Sequence, residues 1–107
     1  MSTFELSELS SERVRAGRLY HEFLRVPALS AGLYELPAGG TDPQRPHGED
    51  EIYYVVSGRA RIRIGTADHE VQAGSVLYVK AGEEHRFHEV SQNLTLLVVF
   101  APAEGSA

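Results

Sequence analysis

Between Arg59 and Gly65 the chain reads Arg59-Ala60-Arg61-Ile62-Arg63-Ile64-Gly65, an unbroken alternation of cationic and apolar residues. No other feature limits the fold more. A period of two belongs to the extended strand, whose successive side chains point to opposite faces. Ala60, Ile62 and Ile64 are therefore expected inside, and Arg59, Arg61 and Arg63 in water. The run before it, residues 51–56, is rich in β-branched and aromatic side chains and ends at Ser57-Gly58, which reads as a turn. Strand-length runs recur at 19–26, 31–36, 69–72, 75–79, 86–90 and 94–100, punctuated by Pro27 and by Pro37-Ala38-Gly39-Gly40. Many short strands with such punctuation predict an all-β sandwich or barrel.

Two segments depart from that pattern. Residues 7–16 hold the one predicted helix, with Ser10 or Ser11 as cap, Glu12 at its positive end and Gly17 as its stop. Residues 4–9 also read as an extra edge strand, and pairing with a second copy of the chain would cover it, so a homodimer is expected. The tail, residues 103–107, is expected to be disordered. With 107 residues there is room for one core, hence a single domain over 1–107.

Composition narrows the function classes. Ten basic against 15 acidic residues leave a net charge of -5, which disfavours nucleic acid or an anionic membrane as partner. The arginine stripe is then a solvated strand face. The absence of cysteine excludes disulfides, thiolate nucleophiles and Cys-ligated metal sites. No apolar run approaches the roughly 20 residues of a membrane span, and the first residues lack a basic-then-apolar leader. A cytoplasmic protein is expected.

Chemistry-bearing residues stand beside the turn glycines in two blocks: Gly40-x6-His47-x3-Glu51-x6-Gly58 and Gly74-x7-Gly82-x2-His85. Two imidazoles and one carboxylate with open positions form a facial triad suited to Fe(II) and related divalent metals. Strand parity places Glu51 with Tyr53 and Val55, and His85 with Phe87, on inward faces. A carboxylate buried in such a wall, with Ile62 and Ile64, is costly unless paired or ligated. A divalent cation removes that cost. His88 lies on the opposite face, Asp50 and Glu49 are expected outward or in the loop, and His21 and His69 are expected exposed.

These two blocks, 40–58 and 74–89, resemble the signature motifs of the cupin superfamily. The resemblance implies a double-stranded β-helix, a jelly-roll barrel of two antiparallel sheets, here with a short N-terminal helix. It implies His47, Glu51 and His85 as metal ligands. Arg45 stands at the family's first histidine, and a guanidinium cannot ligate a cation. Gln44 is similar to the glutamine that some metal-retaining members carry there, so its amide oxygen can complete the set. Lys80 and Glu89 replace the family's proline and asparagine, which concerns turn geometry. Tyr53 and Phe87 are candidates to line a small-molecule pocket, and Arg45 to pair with a ligand carboxylate at its mouth. The cofactor is then Fe(II), Mn(II), Ni(II) or Zn(II), and the partner a small organic ligand. Three function classes stay open: a metal-dependent enzyme of oxygenase or isomerase type, a non-enzymatic ligand-binding or sensing module, and a barrel with a vestigial site. No catalytic residue and no substrate is identified.

Overall fold

The strands of the computed structural model are fewer and longer than the sequence runs suggest; it describes residues 1–106. Helix α1 (Leu6–Ala16) leads into β1 (Tyr20–Val26), β2 (Leu29–Leu36), β3 (Asp50–Ile64), β4 (Ala67–Gln72), β5 (Val76–Val79) and β6 (His85–Ala101). All pairings are antiparallel, in the order β1-β2-β6-β3-β4, with β5 also on β3. The molecule is thus an all-β jelly-roll barrel with one short N-terminal helix.

The two runs on either side of Ser57-Gly58 are one strand of 15 residues, β3, and those on either side of Ser91 are one strand of 17, β6. Ser57-Gly58 is not a turn. The β3–β6 register slips between Val55 and Ser57, between Ser57 and Arg59, and again before Arg61, so the strand bends at bulges and continues. Gly58 has φ 100, and a Cβ on it would lie 2.2 Å from the Asn93 carbonyl oxygen, so only glycine fits the crossing. Bent strands let β3 and β6 wrap around a core that includes Tyr53, Val55, Ile62, Phe87, Leu94, Leu96 and Phe100.

The alternation from Arg59 to Ile64 folds as expected. Ala60 and Ile62 are buried, Arg59 and Arg63 exposed, and Arg61 lies among Asp68, Glu70 and Glu89. Helix α1 ends at Gly17, whose φ of 68 lets its N–H reach the Arg13 and Val14 carbonyls. Its start is corrected: the cap is Glu5, with no side-chain cap bond, and Ser10 and Ser11 lie inside the helix. The edge-strand reading of 4–9 is overturned as well, because Leu6 onward is helical and the Phe4 ring packs against Phe23 at 4.8 Å. The helix lies on β1 and β2, with Leu9 buried and Ser10 and Arg13 both bonded to Glu35. Among the described residues no helix is long and apolar enough to cross a membrane.

The tail is ordered up to its described end, contrary to expectation. Ala103 is buried, the Glu104 N–H donates to the Ser30 hydroxyl at 2.9 Å, and Arg25 donates to the Glu104 carbonyl at 2.6 Å. Only Ala107 of the expected disordered stretch lies outside the described residues.

Candidate metal centre

Three segments distant in sequence bring the donors together. Glu51 is an inward residue at the start of β3, His85 opens β6 opposite Ile64 at the far end of β3, and His47 lies in the loop before β3. The bending of β3 is what allows its two ends to serve one site. The Gly82 N–H donates to the His47 carbonyl at 2.6 Å, and the Ala81 N–H to Asp50 at 2.9 Å, so the loop before β6 is tied to the loop before β3.

One ligand atom from each of His47, Glu51 and His85 falls within 4.8 Å of the other two. His47 Nε2 and both Glu51 oxygens are buried without a hydrogen-bond partner. His85 Nε2 is 3.1 Å from Glu51 Oε1, near enough to form an ion pair when protonated but poorly aligned for a hydrogen bond. Orphaned polar atoms are rare in native interiors. Three of them, converging with His85 Nε2 as a fourth atom, make a cradle of lone pairs that a divalent cation fits.

Surrounding groups orient these donors. His85 Nδ1 is 3.1 Å from the Glu83 carbonyl, which places a hydrogen on Nδ1 and leaves Nε2 facing inward. His47 Nδ1 is 3.4 Å from Glu104 Oε2, an ion-pair contact that leaves its Nε2 for the centre. Asp42 is almost fully buried and accepts from the Tyr34 hydroxyl (2.6 Å), the Gln44 backbone and side-chain amides (3.1 Å each) and the Phe87 N–H (2.9 Å). Because Asp42 holds the Gln44 amide nitrogen, the amide oxygen turns to the Tyr53 hydroxyl, 2.8 Å away. That hydroxyl is also 3.0 Å from His85 Nε2.

Burial opposes a charge on His85, but the close Glu51 carboxylate, the Glu83 carbonyl and the charge of Asp42 outweigh it, and the pKa is raised. Burial, then the Glu51 charge, raises the Tyr53 phenol well above its usual value, so it stays protonated. Burial likewise raises Glu104, and His47 beside it works the other way.

The other expected site residues are distributed unevenly. Tyr53 is fully buried and reaches the triad through its hydroxyl. Phe87 is a core residue packed edge-on against Tyr53 at 5.0 Å. Arg45 is exposed on the loop. The cavities beside the triad are lined by other residues: one of about 230 Å³ by Gln44, His85, Arg63 and Arg86 among others, and one of about 100 Å³ by His47, Gln44, Tyr20, Tyr34, Phe100 and Glu104 with Val98. Glu49 lies in the loop, one of its two expected places, but is buried there, while Asp50 is exposed. His88 stays outside, bonded to Asp68, and His69 is exposed, but His21 is half-buried against Glu12 at 3.0 Å. Asp42, Glu104 and Tyr20 had no signal in the motifs. The inward parity of Tyr20 in its strand is the one hint the sequence carried.

The comparisons with known proteins bear on the family and the fold. A family model described as "Cupin domain" matches residues 32–100, which span both motifs. An uncharacterized protein of Streptomyces coelicolor is 51% identical over 104 residues, covering 97% of this chain and 99% of that one. The crystal structure of TT1209 from Thermus thermophilus superposes with a TM-score of 0.77 at 24% identity, over 96% of this chain and 99% of that one. The cupin domain of Schizosaccharomyces pombe Cnp3 superposes with a TM-score of 0.71 at 17% identity, over 78% of this chain and 63% of that one. At these identities the two structures speak for the fold alone.

Proposed function

Since this chain belongs to the cupin domain family, we propose that it is a metal-binding barrel that binds, or acts on, a small organic molecule at His47, Glu51 and His85. The observation that carries this reading is the convergence of buried, unpaired donor atoms from two imidazoles and one carboxylate. Fe(II), Mn(II), Ni(II) or Zn(II) fits such a set and supplies Lewis acidity toward a carbonyl or enolate oxygen.

The chain's own residues do the rest. Glu51 contributes the one negative charge of the ligand set. Glu83 and Glu104 hold the outer nitrogens of His85 and His47, which fixes each ring's inward lone pair. Asp42 orients Gln44, whose oxygen accepts the Tyr53 phenolic hydrogen, and the Tyr53 oxygen lies 3.0 Å from His85 Nε2. The apolar wall of Val55, Ile62 and Phe87 excludes water from behind the site. Gln44 completes the ligand set when Tyr53 releases its oxygen.

Elemental analysis of the protein, purified and after reconstitution, tests the proposal. About one divalent ion per chain is expected, with the His47→Ala, His85→Ala double variant retaining under about a tenth of it. One observation favours a second reading. A protonated His85, paired with the Glu51 carboxylate at 3.1 Å and with Nε2 3.0 Å from the Tyr53 hydroxyl, holds two members of the triad without a metal. A wild-type chain that stays metal-free after reconstitution would decide for that reading.

A further inference from the structure

Tyr53 holds a place at the centre that neither motif assigns to it. It stands two residues after Glu51 on the same inward face of β3, with no exposed surface and its ring edge-on to Phe87 at 5.0 Å. A phenylalanine would fill that wall as well. What distinguishes the residue is its hydroxyl, which lies 3.0 Å from His85 Nε2, the same nitrogen that is 3.1 Å from Glu51 Oε1.

The hydrogens of this group are engaged elsewhere. Asp42 holds the Gln44 amide nitrogen at 3.1 Å, so the amide oxygen faces Tyr53 and accepts the phenolic hydrogen at 2.8 Å. The Glu83 carbonyl, 3.1 Å from His85 Nδ1, keeps the hydrogen of the neutral imidazole on that nitrogen. Neither hydrogen then lies between Nε2 and the Tyr53 oxygen. Two lone pairs meet there beside the Glu51 carboxylate, and a cation is what joins such atoms.

The separations suit one coordination shell. For metal bonds of about 2.1 Å, two ligand atoms at right angles stand about 3.0 Å apart. The Tyr53 oxygen and Glu51 Oε1 are 3.0 Å and 3.1 Å from His85 Nε2. Arg45, at the family's first histidine, is exposed and cannot ligate. The oxygen of Gln44 is taken for as long as it accepts from Tyr53, so Gln44 stands behind the phenol. The loop is short of one donor, and the strand carries an extra one.

We propose that Tyr53 is a ligand of the metal centre, its oxygen offering a lone pair to the cation while its hydrogen stays on Gln44. The inference rests on the metal reading above and adds to it a fourth protein ligand, supplied by β3.

Iron(III) is the probe, because a phenol bound to it passes its hydrogen to solvent and the resulting phenolate gives a charge-transfer band in the visible. Metal-free protein is loaded with iron(II), oxidised with ferricyanide and freed of excess reagent, and its iron content and visible spectrum are recorded. Wild type is expected to show the band, and Tyr53→Phe to hold iron without it. Tyr20→Phe and Tyr34→Phe, which alter the other two inward tyrosines, are expected to keep the band. Should Tyr53→Phe fail to fold or to hold iron, those two variants still decide: a band surviving in both belongs to Tyr53, and a band lost in either overturns the inference. A wild type that takes up no iron overturns the metal reading and this inference with it. Iron bound without the band, or a band that survives Tyr53→Phe, overturns this inference alone.

Discussion

At His85 two demands meet on one imidazole. Burial disfavours the imidazolium, while Glu51 and the Glu83 carbonyl favour it, and the pKa ends above 6.5. A cation needs the neutral ring, so metal and proton compete for Nε2. Above the raised pKa the ring is neutral and ready to ligate; below it the imidazolium pairs with Glu51. Metal affinity is therefore expected to climb as pH rises past 6.5, changing about tenfold per pH unit on the acid side. Chelator competition from about pH 5.5 to about pH 8 measures this, and a flat profile would contradict it. In the metal-free chain the sign is opposite. The protonated pair stabilises the fold below the shifted pKa, and that contribution is lost as pH rises through it.

His47 carries a second expectation at the same scale. Its outer nitrogen meets only the Glu104 side chain, whereas the tail is docked through Glu104 backbone atoms and the buried Ala103. Glu104→Ala should consequently leave the fold in place and weaken metal binding about tenfold, as loss of an outer partner of a ligating histidine commonly does. Calorimetric titration with Zn(II) reads the change. An unaltered affinity would remove Glu104 from the site.

The elements that matter most are the two long strands. A 15-residue β3 and a 17-residue β6 can close a barrel only by bending, and each bend shows in the backbone. Gly58 provides one. Another lies at Glu89, whose φ of 48 makes it the only non-glycine residue with a positive φ among the described ones. The family's second motif has asparagine there, and asparagine adopts the left-handed conformation more readily than glutamate. Glu89→Asn is expected to stabilise the protein by about 0.5–1 kcal/mol in urea unfolding. A loss of stability would mean that the exposed contact of Glu89 with Arg61, 3.6 Å, outweighs the backbone relief.

For the whole molecule the outward face of the sheet is the remaining question. Ile52 and Tyr78 are directly paired, as are Tyr54 and Val76, and all four are exposed. Val99 and Leu97 of β6, half-buried, adjoin them opposite Ile52 and Tyr54. Helix α1 covers the β1–β2 part of the barrel surface and leaves this part bare. We propose that a second copy of the chain covers it. Two acidic chains repel through charged surfaces, but this patch has no charged residue among the six. A self-complementary apolar patch of this kind is how a twofold dimer forms. Sedimentation at micromolar concentration should show a dimer for wild type and a monomer for Tyr78→Glu, with equal metal content. A monomeric wild type would refute the pairing.

Sequence alone determined what local chemistry determines. Alternation marked the inward residues of β3, glycine and proline marked most strand ends, and the His47, Glu51 and His85 spacing marked the donors, because residue type and period-two parity are local properties. The same locality explains the misses. A bulge and a turn share the dipeptide Ser57-Gly58, and only the partner strand across from Gly58 decides between them. The tail and the loop holding Asp42 have no periodicity to read, so their places at the site follow from contacts across 74 residues to Ser30 and 45 residues to Phe87. The place of the Tyr20 ring needed the tertiary structure most of all, since it lies where Gly32, on another strand, has no side chain.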